Sequence, residues 1–206
     1  VLLTSFRPSA LRKLGLDWKL LHTRYPALCQ VAIVGAHGER AEEPGHDLTY
    51  MAENDLVGGL DLPPTLYADM GGSLAASEAV LAAVLQQRGT GRGVCIEVAL
   101  AAAAHYLALP RAWGLTARGA AIGGGHAGYR VYPCKDGRVA VAALEPHFAA
   151  ALCEAAGVDT DTGGGLQAMF RPATHTAIAA FLARRTRTQL HTLARQRDIP
   201  LHTLPR

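Results

Sequence analysis

The chain has 206 residues with 20 basic against 17 acidic side chains, and a net charge of +3 is too small to indicate a nucleic-acid-binding protein. Half of the residues are hydrophobic but only 18% are charged, which indicates that part of the apolar surface is buried against another subunit. The longest apolar run, Val98 to Leu109, is interrupted by His105 and is too short to span a membrane. No membrane partner is therefore expected.

The cysteines and histidines indicate neither a disulfide framework nor a metal site. The four cysteines lack CxxC spacing and are typical of a reduced, cytoplasmic protein. The nine histidines lack HxxxH and HExxH spacing, so we expect no metal. Val1-Leu2-Leu3 has no basic signal-peptide region, and a first residue inside a predicted strand suggests a piece of a longer chain.

Strands and helices alternate through the first half of the chain. Short apolar runs predict three buried strands, and helically spaced apolar residues between them predict crossover helices. This alternation favours an α/β fold with a Rossmann-like parallel sheet. The predicted strands cover 1–5, 28–34 and 94–98, and the predicted helices run through 11–16, 18–21, 47–60, 71–87 and 99–113.

Two connections in this half contain titratable residues. Residues 37–43 form a polar segment without periodicity and are predicted to be a loop. Asp69 is predicted to end a brief extended piece, just before a long helix that begins at Gly71. That helix, 71–87, is apolar nearly all round, so we expect it to be buried on most sides.

The composition changes at Gly119, and five glycines between 119 and 128 predict a linker or lid. A hairpin is predicted over 129–143 with a type I′ turn at Asp136-Gly137. We therefore divide the chain into a large domain, 1–118, and a smaller α+β domain, 119–206. Later elements of the smaller domain are predicted as helices 146–156, 173–184 and 188–197, a loose connection at Gly163–Gly165, and a short strand at 199–201.

His46 and Asp69 are the candidate proton-transfer residues. Inverting the carbon beside a thioester carbonyl requires one group to remove a proton from one face and another to return it to the opposite face. The unperturbed pKa values are about 6.5 for His and about 3.9 for Asp, and burial raises the latter. A carboxylate can instead attack an acyl-CoA and form a mixed anhydride, as in a CoA-transferase. Taken singly, each residue is more often a helix cap or a core residue than a catalyst.

Several segments resemble the class III CoA-transferase and α-methylacyl-CoA racemase family, also called the CaiB/BaiF family, and they occur in the order of that family over most of the chain. They include FRPSALRKLGL at 6–16, PGHDLTY at 44–50, ADMGGS at 68–73, RGTGRGVCIEVAL at 88–100 and YRVYPCKDGRVAVAALEPHF at 129–148.

The resemblance implies specific roles for seven residues. Asp69 matches the acyl-accepting nucleophile of the transferases and one of the two bases of the racemases, and His46 is typical of the racemase branch. Asp47 and Glu145 would support this catalytic pair. The residues implied to contact coenzyme A are Arg7, Lys13 and Tyr50. The alternative interpretation of Arg7 and Lys13 is that they are ordinary solvated charges on the surface. The family also implies an interlocked homodimer, an acyl-CoA substrate and no permanently bound cofactor.

The chain departs from the family pattern in three respects. The chain is little more than half as long as a typical member. The connection between His46 and Asp69 is shortened near Leu60-Asp61. The aromatic residue of the family's Gly-aromatic-Gly turn is replaced near Gly35-Ala36-His37. Three hypotheses therefore stand: a racemase acting on a 2-methylacyl-CoA, a CoA-transferase, and a truncated non-catalytic CoA-binding or assembly module.

Overall fold

The structure, a computed structural model, describes residues 1–159 and 165–206. These residues form two compact units, Val1–Leu109 and Pro110–Arg206. The predicted loose connection at Gly163–Gly165 lies outside the described residues, except for Gly165, at which a 3-10 helix begins.

The first unit contains a three-stranded parallel sheet, which confirms the predicted α/β class. The strands lie in the order β1-β2-β3, with Leu3 opposite Val31 and Val31 opposite Ile96. Helices connect the strands, as the alternating sequence pattern predicts. The elements are β1 (Leu2–Thr4), α1 (Pro8–Lys13), α2 (Trp18–Arg24), β2 (Gln30–Val34), a 3-10 helix (Gly38–Glu42), α3 (Asp47–Glu53), α4 (Tyr67–Thr90), β3 (Cys95–Ala99) and α5 (Leu100–Ala112).

Helix α4 packs against β2 and β3 through small side chains. Ala76 and Ala79 lie against Val31 and Val98 in one buried cluster. Gly72 allows close approach to α5, because a Cβ atom there would lie 2.3 Å from Cδ2 of Leu100. The Gly71-Gly72 pair is thus explained by helix packing as well as by its place near a candidate catalytic residue.

The expectation that this helix is buried on most sides is wrong. Leu74, Leu81 and Leu85 are each between 66% and 70% exposed, so one face of α4 is uncovered in the described chain. Within the described residues, α4 is long and apolar enough to cross a membrane by length and composition, a test that core helices of soluble proteins also pass. Only 28% of its most apolar stretch is buried.

Three further expectations for this half are corrected. Residues 38–42 form a 3-10 helix and not a loop. Helix α3 ends at Glu53 instead of Leu60, with Asp55 in the left-handed region at φ 55°. Asp69 lies inside the first turn of α4, which begins at Tyr67, because the glycines that suggested a later start are accommodated within the helix.

The second unit is α+β. Its antiparallel sheet has the order β4-β5-β6, with β4 (Tyr129–Cys134), β5 (Gly137–Ala142) and β6 (Leu201–Leu204). Apolar residues of this sheet and of the helices form one buried cluster that includes Val139, Leu152, Ile178 and Leu190. The helices are α6 (Pro146–Ala156), α7 (Pro172–Ala183) and α8 (Arg187–Arg197), with 3-10 helices at Ala121–Gly123 and Gly165–Phe170.

The predicted hairpin is present, but its turn differs from the prediction. Cys134 pairs with Gly137, so the two turn residues are Lys135 and Asp136. Neither has a positive φ, whereas a type I′ turn requires positive φ at both central positions. Asp136 instead accepts a hydrogen bond from the backbone N–H of Arg187 at 2.8 Å, which fixes the turn to the start of α8.

Candidate active site

The candidate site lies where the parallel strands of the first unit end. A cavity of about 230 Å³ is lined by Arg7 after β1, by Gly35 after β2 and by Leu100 after β3. His46 and Tyr50 complete this wall from the start of α3. In open α/β sheets, ligands bind in the crevice at the carboxyl ends of the strands. The fold therefore places three of the seven candidate side chains, Arg7, His46 and Tyr50, around this crevice.

His46 is held by backbone interactions. It is the N-cap of α3, and its N–H donates to Oγ1 of Thr49 at 3.1 Å while its carbonyl accepts from that hydroxyl at 2.8 Å. The residue is exposed and lines the smaller cavity. Its main chain is thus fixed at the start of α3 beside that cavity.

Asp47 connects the two segments that carry the candidate pair. Its side chain is buried, with 5% of the residue exposed, and Oδ1 accepts a hydrogen bond from the backbone N–H of Asp69 at 2.9 Å. This bond satisfies one of the free N–H groups in the first turn of α4. It also fixes the start of α3 to the start of α4, so His46 and Asp69 are brought into the same part of the molecule.

The His46 and Asp69 side chains line two adjacent cavities and not one. Asp69 lines a neighbouring cavity of about 580 Å³, which continues along α4 past Ser73 and Ser77. Both cavities are bounded by Ile33 and Leu100, so these two apolar side chains stand between them. The pair therefore lies on two sides of a shared apolar wall.

The electrostatic surroundings of Asp69 suit a proton-transfer group. Burial is the main cause that raises its pKa, and the negative charge of Asp47 raises it further. The His46 imidazole acts in the opposite direction and lowers it, so the two candidate residues influence each other through space. The net pKa is above the ordinary value of an aspartate, which strengthens the carboxylate as a base.

The remaining candidates are distributed over both units. Arg7 is exposed at the N-cap of α1, and Lys13 is exposed at the last residue of that helix. Tyr50 is buried in α3. Glu145 is exposed at the N-cap of α6, in the second unit, without a side-chain capping bond.

The sequence interpretation missed two glycines that shape the cavity. A Cβ atom at Gly35 would lie 2.3 Å from the Tyr50 hydroxyl oxygen, and one at Gly45 would lie 2.4 Å from it. The two glycines therefore form a cradle for the end of the tyrosine side chain. A glycine directly after a buried strand, as at Gly35, is the signal that marks such a close approach.

Among the described residues, no group of three or more His, Cys, Asp and Glu side chains could hold a metal ion. The chemistry available here is that of an imidazole, a carboxylate of raised pKa and a phenol beside a crevice. This combination of groups is chemically suited to acid–base or acyl-transfer chemistry.

The chain belongs to CoA-transferase family III, whose sequence profile matches residues 1–205. It is 30% identical over 180 residues to a CaiB/baiF CoA-transferase family protein from Caenorhabditis elegans, covering 77% of this chain and 52% of the relative. It is also 30% identical over 179 residues to the alpha-methylacyl-CoA racemase of Mus musculus, covering 78% of this chain and 47% of the racemase. The chain thus spans about half the length of these curated relatives.

The fold is that of a solved family structure. A crystal structure of Rv3272 from Mycobacterium tuberculosis superimposes with a TM-score of 0.81 at 22% sequence identity, covering 99% of this chain and 60% of that one. The relatives of the chain include both an alpha-methylacyl-CoA racemase and a cinnamoyl-CoA:phenyllactate CoA-transferase of Clostridium sporogenes.

Proposed function

We propose that this protein acts on acyl-CoA thioesters as a racemase, moving the α-proton of a 2-methylacyl-CoA from one face of the carbon to the other. One of His46 and Asp69 removes the proton, the thioester oxygen carries the charge of the enolate, and the other residue returns a proton to the opposite face. The observation that supports this most is the bond from the Asp69 N–H to Asp47, which fixes the segments of the two residues together.

A two-base reaction requires one substrate carbon to reach both side chains. His46 and Asp69 line neighbouring cavities that share Ile33 and Leu100, so the carbon reaches both only if these two apolar side chains shift when the thioester binds. The raised pKa of Asp69 strengthens its carboxylate as a base. Arg7, on the rim of the smaller cavity, is suited to a phosphate of coenzyme A. Lys13 belongs to the same proposed contact, and Glu145 to the proposed support of the pair.

CoA transfer is the second candidate. Asp69 lies in the first turn of a 24-residue helix, whose positive end stabilises a carboxylate and a developing oxyanion. In this reaction the carboxylate would attack the acyl-CoA, forming a mixed anhydride and releasing the CoA thiolate. The thiolate would then attack the Asp69 carbonyl, releasing the donor acid and leaving CoA as a thioester on Asp69. The acceptor carboxylate would displace CoA from that thioester as a second anhydride, and attack of the thiolate on the acceptor carbonyl would give the new acyl-CoA and free Asp69. A non-catalytic CoA-binding or assembly module is the third candidate, since the chain spans about half of its relatives.

Three further features complete the proposal. We include the interlocked homodimer, because the exposed leucines of α4 form a surface that a second copy would cover. We include a cytoplasmic location, since all four cysteines are free thiols. We include the absence of a permanent cofactor on the strength of family membership.

Proton exchange in deuterated water tests the racemase reaction. The wild-type chain is expected to incorporate deuterium at the α-carbon of a 2-methylacyl-CoA, and His46→Ala to lose inversion, with a fall in rate on the order of 10²–10⁴-fold. Inversion that is unchanged in His46→Ala would refute the racemase reaction. Hydroxylamine trapping of acylated Asp69 without α-proton exchange would favour the transferase. Failure to bind CoA at millimolar concentration would favour the third candidate, a non-catalytic assembly module.

A further inference from the structure

Tyr50 is the buried aromatic side chain closest to the candidate chemistry. The residue is only 6% exposed, and its ring packs in a cluster with Met51, Ala68 and Ala104. The side chain nevertheless lines the 230 Å³ cavity together with His46. The apolar part of the side chain is therefore fixed in the core while the residue forms part of the wall of the ligand site.

The hydroxyl group of Tyr50 has space only because its two neighbours are glycines. Gly35 and Gly45 lie on either side, and a methyl group at either position would overlap the phenol oxygen. Within the residues that the structure describes, this hydroxyl has no hydrogen-bond partner. The bonds shown for Tyr50 are made by its backbone, whose N–H donates to the carbonyl of His46 at 3.3 Å and whose carbonyl accepts from Nδ2 of Asn54 at 2.8 Å. A buried phenol normally pairs its O–H, so the arrangement leaves a donor available to whatever enters the cavity.

The charges around Tyr50 keep this donor protonated. Burial is the main cause that raises its pKa, and the negative charge of Asp69 raises it further. The hydroxyl is therefore a neutral hydrogen-bond donor at physiological pH and cannot act as a base. The coupling also shows that the phenol lies within electrostatic reach of the Asp69 carboxyl, the group at the centre of the proposed chemistry.

We infer that the Tyr50 hydroxyl is a catalytic hydrogen-bond donor to the thioester carbonyl oxygen of the substrate, an inference that rests on the proposed function. When the base removes the α-proton, the electron pair of the C–H bond forms the enolate and the charge moves to the thioester oxygen. Tyr50 donates a hydrogen bond to that oxygen and keeps its own proton. The acid on the opposite face then protonates the α-carbon and restores the carbonyl.

This role differs from the nucleotide contact that family resemblance implies for Tyr50. A contact to the nucleotide stabilises bound substrate and transition state alike and changes KM, whereas a bond that strengthens as charge develops changes kcat. Tyr50→Phe removes only the hydroxyl and retains the packed ring. It is expected to lower kcat for α-proton exchange by about 10²-fold with KM near the wild-type value.

A double-mutant cycle with Gly35→Ala tests whether the hydroxyl position matters. The added methyl group would meet the phenol oxygen at 2.3 Å but the nearest ring carbon only at 3.2 Å. Gly35→Ala is therefore expected to lower kcat in the wild type and to have much less effect in the Tyr50→Phe background. Tyr25→Phe, at an exposed position, serves as the control for loss of a phenol hydroxyl, and thermal unfolding of each variant checks that it folds.

The outcomes separate this inference from the proposed function. Wild-type exchange with a large fall in kcat for Tyr50→Phe, and none for Tyr25→Phe, supports it. Wild-type exchange with an unchanged kcat in Tyr50→Phe, or with a change confined to KM, overturns the inference alone. Additive effects of Gly35→Ala and Tyr50→Phe also contradict it. Absence of exchange in the wild type overturns the proposed racemase function and this inference with it.

Discussion

Replacing Asp47 separates the charge of its carboxylate from its role as a hydrogen-bond acceptor. In Asp47→Asn a side-chain oxygen remains available to the N–H of Asp69, which lies 2.9 Å from Oδ1, while the negative charge is lost. Hydrogen bonds to charged groups contribute about 1.5–3 kcal/mol and neutral ones about 0.5–1.5 kcal/mol, so we expect the free energy of unfolding to fall by about 1 kcal/mol. Asp47→Ala leaves the partly buried amide of Asp69 unpaired and is expected to lower the free energy of unfolding by about 2 kcal/mol.

The same pair of variants tests the electrostatic effect on Asp69. Because the charge of Asp47 raises the pKa of the Asp69 carboxyl, Asp47→Asn is expected to lower that pKa. Urea unfolding followed by Trp18 fluorescence gives the stability of the first unit, and a ¹³C NMR titration of the Asp69 carboxyl gives its pKa. Equal destabilisation by Asn and Ala, or a pKa of Asp69 that does not move, would refute the reasoning.

Two other predictions concern helix α4. Gly72→Val is expected to destabilise the protein by about 1–3 kcal/mol because its Cβ would meet Leu100. Gly89→Ala has open space around it and is expected to stabilise the protein by about 0.5–1 kcal/mol. Urea denaturation measures both changes, and equal effects of the two variants would contradict the packing argument. Asp69→Asn is expected to unfold at higher urea than the wild type at neutral pH, because a carboxyl whose pKa is raised by folding disfavours the folded state once it ionises. The extra stability of Asp69→Asn is expected to disappear as the pH falls below about 3.8, the pKa of an unperturbed Asp, because the carboxyl is then protonated in both the folded and the unfolded state. A stability difference that is constant with pH would exclude ionisation of Asp69 as its cause.

The elements of the fold were predictable where the apolar pattern was local. The strand at 30–34 lies within the predicted range 28–34, and the strand at 95–99 ends one residue beyond the predicted range 94–98. The boundaries around Asp69 were less predictable, because Gly71 and Gly72 suggested a helix start whereas they permit contact between two helices inside α4. Local propensity does not reveal such a tertiary contact.

The sequence suggests which residues form the candidate site but does not reveal its geometry. The spacing of His46 and Asp69 suggested a pair, but the hydrogen bond from Asp69 to Asp47 and the wall of Ile33 and Leu100 depend on the packing of three strands against α3 and α4. The exposed face of α4 also escaped prediction, since an apolar helix has the same sequence pattern whether its own chain or another covers it.

The stereochemical course of the reaction tests most directly whether His46 and Asp69 act on opposite faces of one carbon. A single enantiomer of a 2-methylacyl-CoA is incubated in deuterated water with the wild type, His46→Ala and Asp69→Asn. We expect the wild type to give the inverted product with deuterium at the α-carbon, and each variant to lose inversion while exchange persists for at most one enantiomer. Full inversion by either variant would contradict the assignment of these two residues as opposed proton-transfer groups.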